Sequence, residues 1–173
     1  MYNSTVTESG LEFDFHLPCE KADVENCQGL KAVDFIVEGD DCLYYIEVKN
    51  YEHPNAPIKN RDRDYKMLTD EYAAFPLEIG MKIKDSLLRR YAQAQSFSKM
   101  IVFLLVIKFP SSKFKFNERR NLHERVSGYI PTGLNNSKYK AFNSISFDIV
   151  LVDELQSKYG FDVTVKEDSP TNS

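Results

Sequence analysis

Asp34, Glu47 and Lys49 are the residues whose types and spacing bear most directly on chemistry. Asp34 lies in the run Val33-Asp34-Phe35-Ile36-Val37, and Glu47 and Lys49 in Leu43-Tyr44-Tyr45-Ile46-Glu47-Val48-Lys49, with Gly39-Asp40-Asp41 between the two runs. If Asp40 and Asp41 are the loop of a β-hairpin, the numbers of facing residues sum to 81. Val33 then faces Val48, Phe35 faces Ile46 and Val37 faces Tyr44 on an apolar side. Because side chains alternate across a strand, Asp34 faces Glu47, and Ala32 faces Lys49, on the other side. Facing Cβ atoms lie about 4.5–5.5 Å apart. Two carboxylates at that spacing repel, and one takes up a proton unless a cation intervenes. Mg²⁺ (or Mn²⁺) resolves the repulsion, since Mg²⁺ is held by one or two carboxylates and keeps positions for water and phosphate oxygens. Lys49, on the same face, brings an ammonium that can orient an attacking water or offset charge developing on a phosphate. A register shifted by two keeps the faces but sets Asp34 against Tyr45. Asp-Asp is not a favoured two-residue loop, so both registers stand.

The elements around this hairpin follow from periodicity. Leu11 to Leu17 alternates with period two up to Pro18 and reads as a strand, while residues 19–30 read as loop or a short helical turn. Ala32 to Glu38 and Cys42 to Tyr51 are the hairpin strands. Residues 52–70 are polar, carry two prolines and lack periodicity, which predicts a long loop. Leu77 to Phe97 is the clearest helix, with Ile83, Leu87, Tyr91 and Ala94 as its apolar stripe and Lys82, Ser86, Arg89 and Gln93 as its polar, solvated one. Lys99 to Lys108 is nearly continuously apolar, as suits a strand buried on both faces. A basic amphipathic helix over Phe116 to Ile130, a loop over 131–140, and strands Ser144 to Val152 and Phe161 to Lys166 complete an α/β fold with a mixed central β-sheet flanked by helices. Residues 1–166 read as a single domain and 167–173 as a flexible tail.

The hairpin resembles the PD-(D/E)XK phosphodiesterase superfamily, which includes restriction endonucleases and junction resolvases. Val33-Asp34 matches the P-D element, with Val in place of Pro, and Glu47-Val48-Lys49 matches E-x-K. The similarity spans about residues 31 to 108, and implies a restriction-endonuclease-like core. It implies Asp34, Glu47 and the Val48 carbonyl as metal ligands for Mg²⁺ or Mn²⁺, Lys49 as the catalytic lysine, and Gln93 as the candidate for a residue that the superfamily often places on the following helix. The helix that usually precedes the acid strand, often with a further Glu, has no counterpart; the nearby acids are Glu12, Asp14 and Glu20.

Charge is distributed unevenly. Residues 1–57 carry 12 acids and 3 bases, residues 58–125 carry 15 bases and 8 acids, and the whole chain has a net charge of −4. An acidic pole beside a basic stretch suits a metal site next to a phosphate-binding surface, with the stretches 58–66, 82–90 and 108–125 holding the backbone; solvated faces of an acidic protein explain it equally. The nuclease resemblance implies DNA more than RNA as the partner. The longest apolar run, Met100 to Ile107, is too short to cross a bilayer. With no signal-like start and three unpatterned cysteines, Cys19, Cys27 and Cys42, the expectation is a cytoplasmic protein with reduced thiols.

These features, with the resemblance, predict a metal-dependent nuclease acting on DNA; the resemblance alone implies a context such as defence against foreign DNA. The alternative is a catalytically inert nuclease-fold module, serving as a protein- or nucleic-acid-binding subunit of a larger complex. A further alternative, an α/β interaction protein whose Glu-Val-Lys is coincidental, requires that the Asp34 and Glu47 carboxylates do not converge.

Overall fold

The computed structural model describes residues 5–22, 29–53, 58–70, 74–110, 112–134, 138 and 144–165. Its centre is a five-stranded mixed sheet in the order β3-β4-β5-β6-β7. Strands β3 (Cys19–Lys21), β4 (Phe35–Glu38) and β5 (Cys42–Asn50) are antiparallel neighbours, and β6 (Met100–Lys108) and β7 (Ile145–Leu151) continue parallel to β5. Helices α1 (Ile58–Thr69) and α2 (Phe75–Ala92) lie in the crossover from β5 to β6, and α3 (Phe116–Ser127) in the crossover from β6 to β7. A three-stranded antiparallel sheet of β1 (Thr5–Glu8), β2 (Leu11–Asp14) and β8 (Asp162–Val165) lies on the opposite face with α4 (Val152–Tyr159).

Two apolar layers hold this together. Along β6 the odd residues Ile101, Phe103, Leu105 and Ile107 pack with Ile79 and Ile83 of α2 and Leu122 and Val126 of α3. The even residues Val102, Leu104 and Val106 pack with Leu11 and Phe13 of β2 and Leu155 of α4. A strand covered on both sides has no polar face to show, hence its unbroken apolar sequence.

The hairpin register is the one summing to 81: Phe35 faces Ile46, and Val37 faces Tyr44. Phe35, Val37, Ile46 and Val48 face the small sheet, whereas Tyr45 and Leu43 face the helices. Val33 departs from the expectation. The chain bends at Asp34, the ladder stops at Phe35, and Val33 packs in the helical layer instead.

Other departures from the periodicity are local. Residues 19–30 contribute edge strand β3, and residues 52–70 contribute α1, a polar helix anchored by buried Leu68 and by Arg125, which donates to the carbonyls of Leu68 and Asp70 near its C-terminus. Pro76 sits in the first turn of α2, where a missing N–H costs nothing. That helix ends at Ala92, before the left-handed Ala94 (φ 55°), so Tyr91 and Ala94 belong to its exposed end and not to the core. Periodicity marks neither β1 nor α4 as an element. Cys27, Lys166 and the tail 167–173 lie outside the described residues.

Candidate functional site

Parity along β5 puts Glu47 and Lys49 on the helical face, and the bend before β4 brings the Asp34 side chain to the same place. Asp34 Oδ2 accepts a 2.7 Å hydrogen bond from the Val48 N–H. In an unbroken ladder that N–H faces Val33, so the Asp34 carboxylate replaces the backbone partner that the bend removes.

The second wall is α2. Lys82 Nζ donates to Glu47 Oε1 at 2.7 Å and to Oε2 at 2.8 Å, and lies 3.8 Å from Asp34 Oδ1. Lys49 Nζ reaches Glu47 Oε1 at 2.7 Å from the outer side. Ser86, one turn further on, donates to the Lys82 carbonyl at 2.8 Å and accepts from the Val33 N–H at 3.0 Å. Asp85 accepts from the Lys31 N–H, and Arg89 donates to the Ala22 carbonyl at 2.6 Å. Lys82, Ser86 and Arg89, read from the sequence as a solvated stripe, therefore fasten α2 to Glu47 and to the segment before β4.

Among the described residues, the buried polar ones are Asp34, Glu47 and Ser86, and all lie in this cluster. Acidic side chains are almost never buried unless paired. Exposure grows outward, from 4% for the Glu47 side chain through 17% for Lys82 to 27% for Lys49. Val33, Tyr45, Ile79, Ile83 and Phe103 form an apolar floor beneath Glu47 and Lys82, which strengthens electrostatic interactions above it.

Burial, with the charge of Glu47, pushes the Asp34 carboxyl up to about 7, against the pull of the Val48 N–H and Lys82. Burial disfavours the charge on Lys82, but the carboxylates of Glu47 and Asp34 outweigh it and hold the ammonium above its ordinary pKa. Glu8, at the end of β1, adds to the upward push on Asp34 and pairs with Lys21 at 3.0 Å. Glu8 is thus an acid whose field reaches the site, beyond Glu12, Asp14 and Glu20 named from the sequence. It precedes the strand that periodicity detects, and no local signal marks it.

Gln93 is not brought to this cluster. It caps the C-terminus of α2, about 16 Å along the helix axis from Lys82 at 1.5 Å per residue. There it is exposed and lines a small hollow with Glu20, Arg89 and Arg90. The basic middle of the chain is partly committed internally: Arg119 pairs with Glu154 at 2.7 Å and Arg120 with Glu124 at 2.9 Å. Lys113 is exposed, and Lys108 faces Asn50 at the same end of the sheet as Lys49.

The donor set fits an oxygen-bound cation. The two buried carboxylates and the carbonyl of Val48, next to Glu47, are hard ligands, and Mg²⁺ typically takes one or two carboxylates and keeps its waters. Among the described residues no three His, Cys, Asp or Glu side chains gather into a group that could hold a metal ion. Compared with family models, curated proteins and solved structures, the chain matches none.

Proposed function

We propose that this chain is a metal-dependent nuclease of the PD-(D/E)XK kind that hydrolyses phosphodiester bonds in DNA. The observation that carries the reading is the convergence of the buried Asp34 and Glu47 carboxylates with the partly exposed Lys49 ammonium on one face of the hairpin. Asp34, Glu47 and the Val48 carbonyl would hold Mg²⁺ or Mn²⁺, which when bound supplies Lewis-acid polarisation of phosphate oxygens and a lowered pKa for water. Lys49, at the mouth, holds a phosphate oxygen and offsets the charge that grows on it in the transition state. Lys108 and Lys113 hold the DNA backbone by charge alone, which favours no sequence. No described helix is long and apolar enough to cross a membrane, and the unpaired Cys19 and Cys42 suit the reducing cytoplasm. Defence against foreign DNA is the context that the superfamily resemblance suggests.

The second reading, an inert nuclease-fold subunit, is favoured by the two ammonium groups already on Glu47. Single- and double-stranded DNA and RNA, incubated with the protein and Mg²⁺, Mn²⁺ or EDTA, separate the two. DNA cleavage that needs metal and disappears in Lys49→Ala supports the enzyme. Mn²⁺ binding without cleavage of any substrate supports the subunit.

A further inference from the structure

Lys82 stands where a cation for the two carboxylates would otherwise be needed. Its Nζ donates to both oxygens of Glu47 and lies 3.8 Å from Asp34, while its own backbone carbonyl is fixed by Ser86. Charge-assisted bidentate contacts of this kind are among the stronger hydrogen bonds. Lys49 also reaches Glu47, at Oε1, but from a more exposed position. We propose that Lys82 is the built-in counter-cation of the Asp34–Glu47 pair: it holds the metal-free site together and competes with a divalent cation for the same oxygens. The inference rests on the reading that this pair binds a cation.

The logic is electrostatic. Without Lys82 the buried pair has a single ammonium, at its outer edge, for two carboxylates, and repulsion destabilises the fold. With Lys82 the charges of the metal-free site balance, and an incoming cation must displace the ammonium from Glu47 before it can use both oxygens. Lys82 acts through Glu47 and Asp34, and is a positioning residue. Its four-carbon stem lets the ammonium withdraw while helix α2 stays in place.

The test is Mn²⁺ titration by calorimetry, with thermal melting, on the parent chain, Lys82→Met and Lys82→Arg. Lys82→Met is expected to bind Mn²⁺ at least tenfold more tightly, to melt lower than the parent without metal, and to recover most of that loss with saturating Mn²⁺. Lys82→Arg, which keeps a cation on the carboxylates, is expected to bind no more tightly than the parent. On the parent alone, reductive methylation followed by mass spectrometry is expected to modify Lys82 several-fold faster with Mn²⁺ than without, which stands even if Lys82→Met does not fold. If the parent binds Mn²⁺ and Lys82→Met binds it equally or more weakly, or if the methylation rate is unchanged by Mn²⁺, the competition is overturned and the metal site survives. If neither parent nor variant binds Mn²⁺, the metal reading itself fails, and the competition with it.

Discussion

The Asp34 carboxylate accepts the backbone N–H of Val48, the residue between Glu47 and Lys49, at 2.7 Å. One side chain thus closes the hairpin where β4 bends away and stands beside Glu47 as half of the acidic pair. Backbone pairing and a buried acidic charge thus meet in one carboxyl.

Lys49→Ala removes an ammonium whose side chain is about a quarter exposed (27%) and reaches Glu47 at 2.7 Å. Cleavage of DNA is expected to fall by at least about a hundredfold, with Mn²⁺ affinity no weaker than the parent's and melting temperature close to it, because the charge acts mainly in the transition state. Cleavage at the parent's rate removes Lys49 from the chemistry.

The Asp34 carboxyl titrates at about 7, against 3.8 for an ordinary aspartate. A carboxyl with its pKa raised by folding stabilises the fold while protonated; that contribution is complete below about pH 4 and is lost as pH rises through about 7. An amide in its place carries no such charge and still accepts from the Val48 N–H. Asp34→Asn should therefore gain melting temperature relative to the parent between about pH 5 and pH 8, on the order of 4 °C. Mn²⁺ affinity should fall in the same variant. A difference between variant and parent that stays flat across this range contradicts the burial argument.

Ser86→Ala leaves the buried Val33 N–H without its acceptor. Loss of about 1–3 kcal/mol is expected, the usual cost of an orphaned buried donor. Denaturant unfolding measures it, and a neutral result means that water replaces the hydroxyl.

A Cβ on Gly80 would lie 2.3 Å from the Tyr129 Cβ, so α2 can approach the end of α3 only with glycine there. Alanine is the better helix former by about 1 kcal/mol, yet Gly80→Ala should destabilise, because the clash is with the root of a side chain and cannot be relieved by a rotamer. Chemical denaturation reads the sign directly. Stabilisation would show that the two helices do not meet as described.

If Lys108 and Lys113 touch DNA phosphates, replacing each by Gln should flatten the dependence of log affinity on log salt by roughly 0.9 for duplex DNA. Arg119→Ala should leave that slope unchanged, since the guanidinium is already held by Glu154 at 2.7 and 2.8 Å. Fluorescence anisotropy across a salt series distinguishes the outcomes, and an affinity indifferent to salt argues for a protein partner instead.

The part of the site legible in the amino-acid sequence is local. Alternation of Val33 to Val37 against Leu43 to Lys49 puts Asp34, Glu47 and Lys49 on one face, because pairing between adjacent strands has period two. The unbroken apolar run of β6 marks a strand covered on both sides, since neither of its faces meets water. Which surfaces meet was settled only by packing. Lys82, Ser86 and Arg89 form a polar stripe that water or a neighbouring segment could satisfy equally well, and the crossover from β5 to β6 turns that stripe onto Glu47, Val33 and Ala22. Polar α1 has few apolar residues to mark it, and it is held through Leu68 and the grip of Arg125 on its C-terminal carbonyls. Val33 leaves its expected face where the chain bends at Asp34, and the Asp34 side chain takes the Val48 N–H in place of backbone. A side chain's type limits the partners it can take; the packing of helix on sheet selects among them, since only there do desolvation and distance decide which partner stabilises the fold.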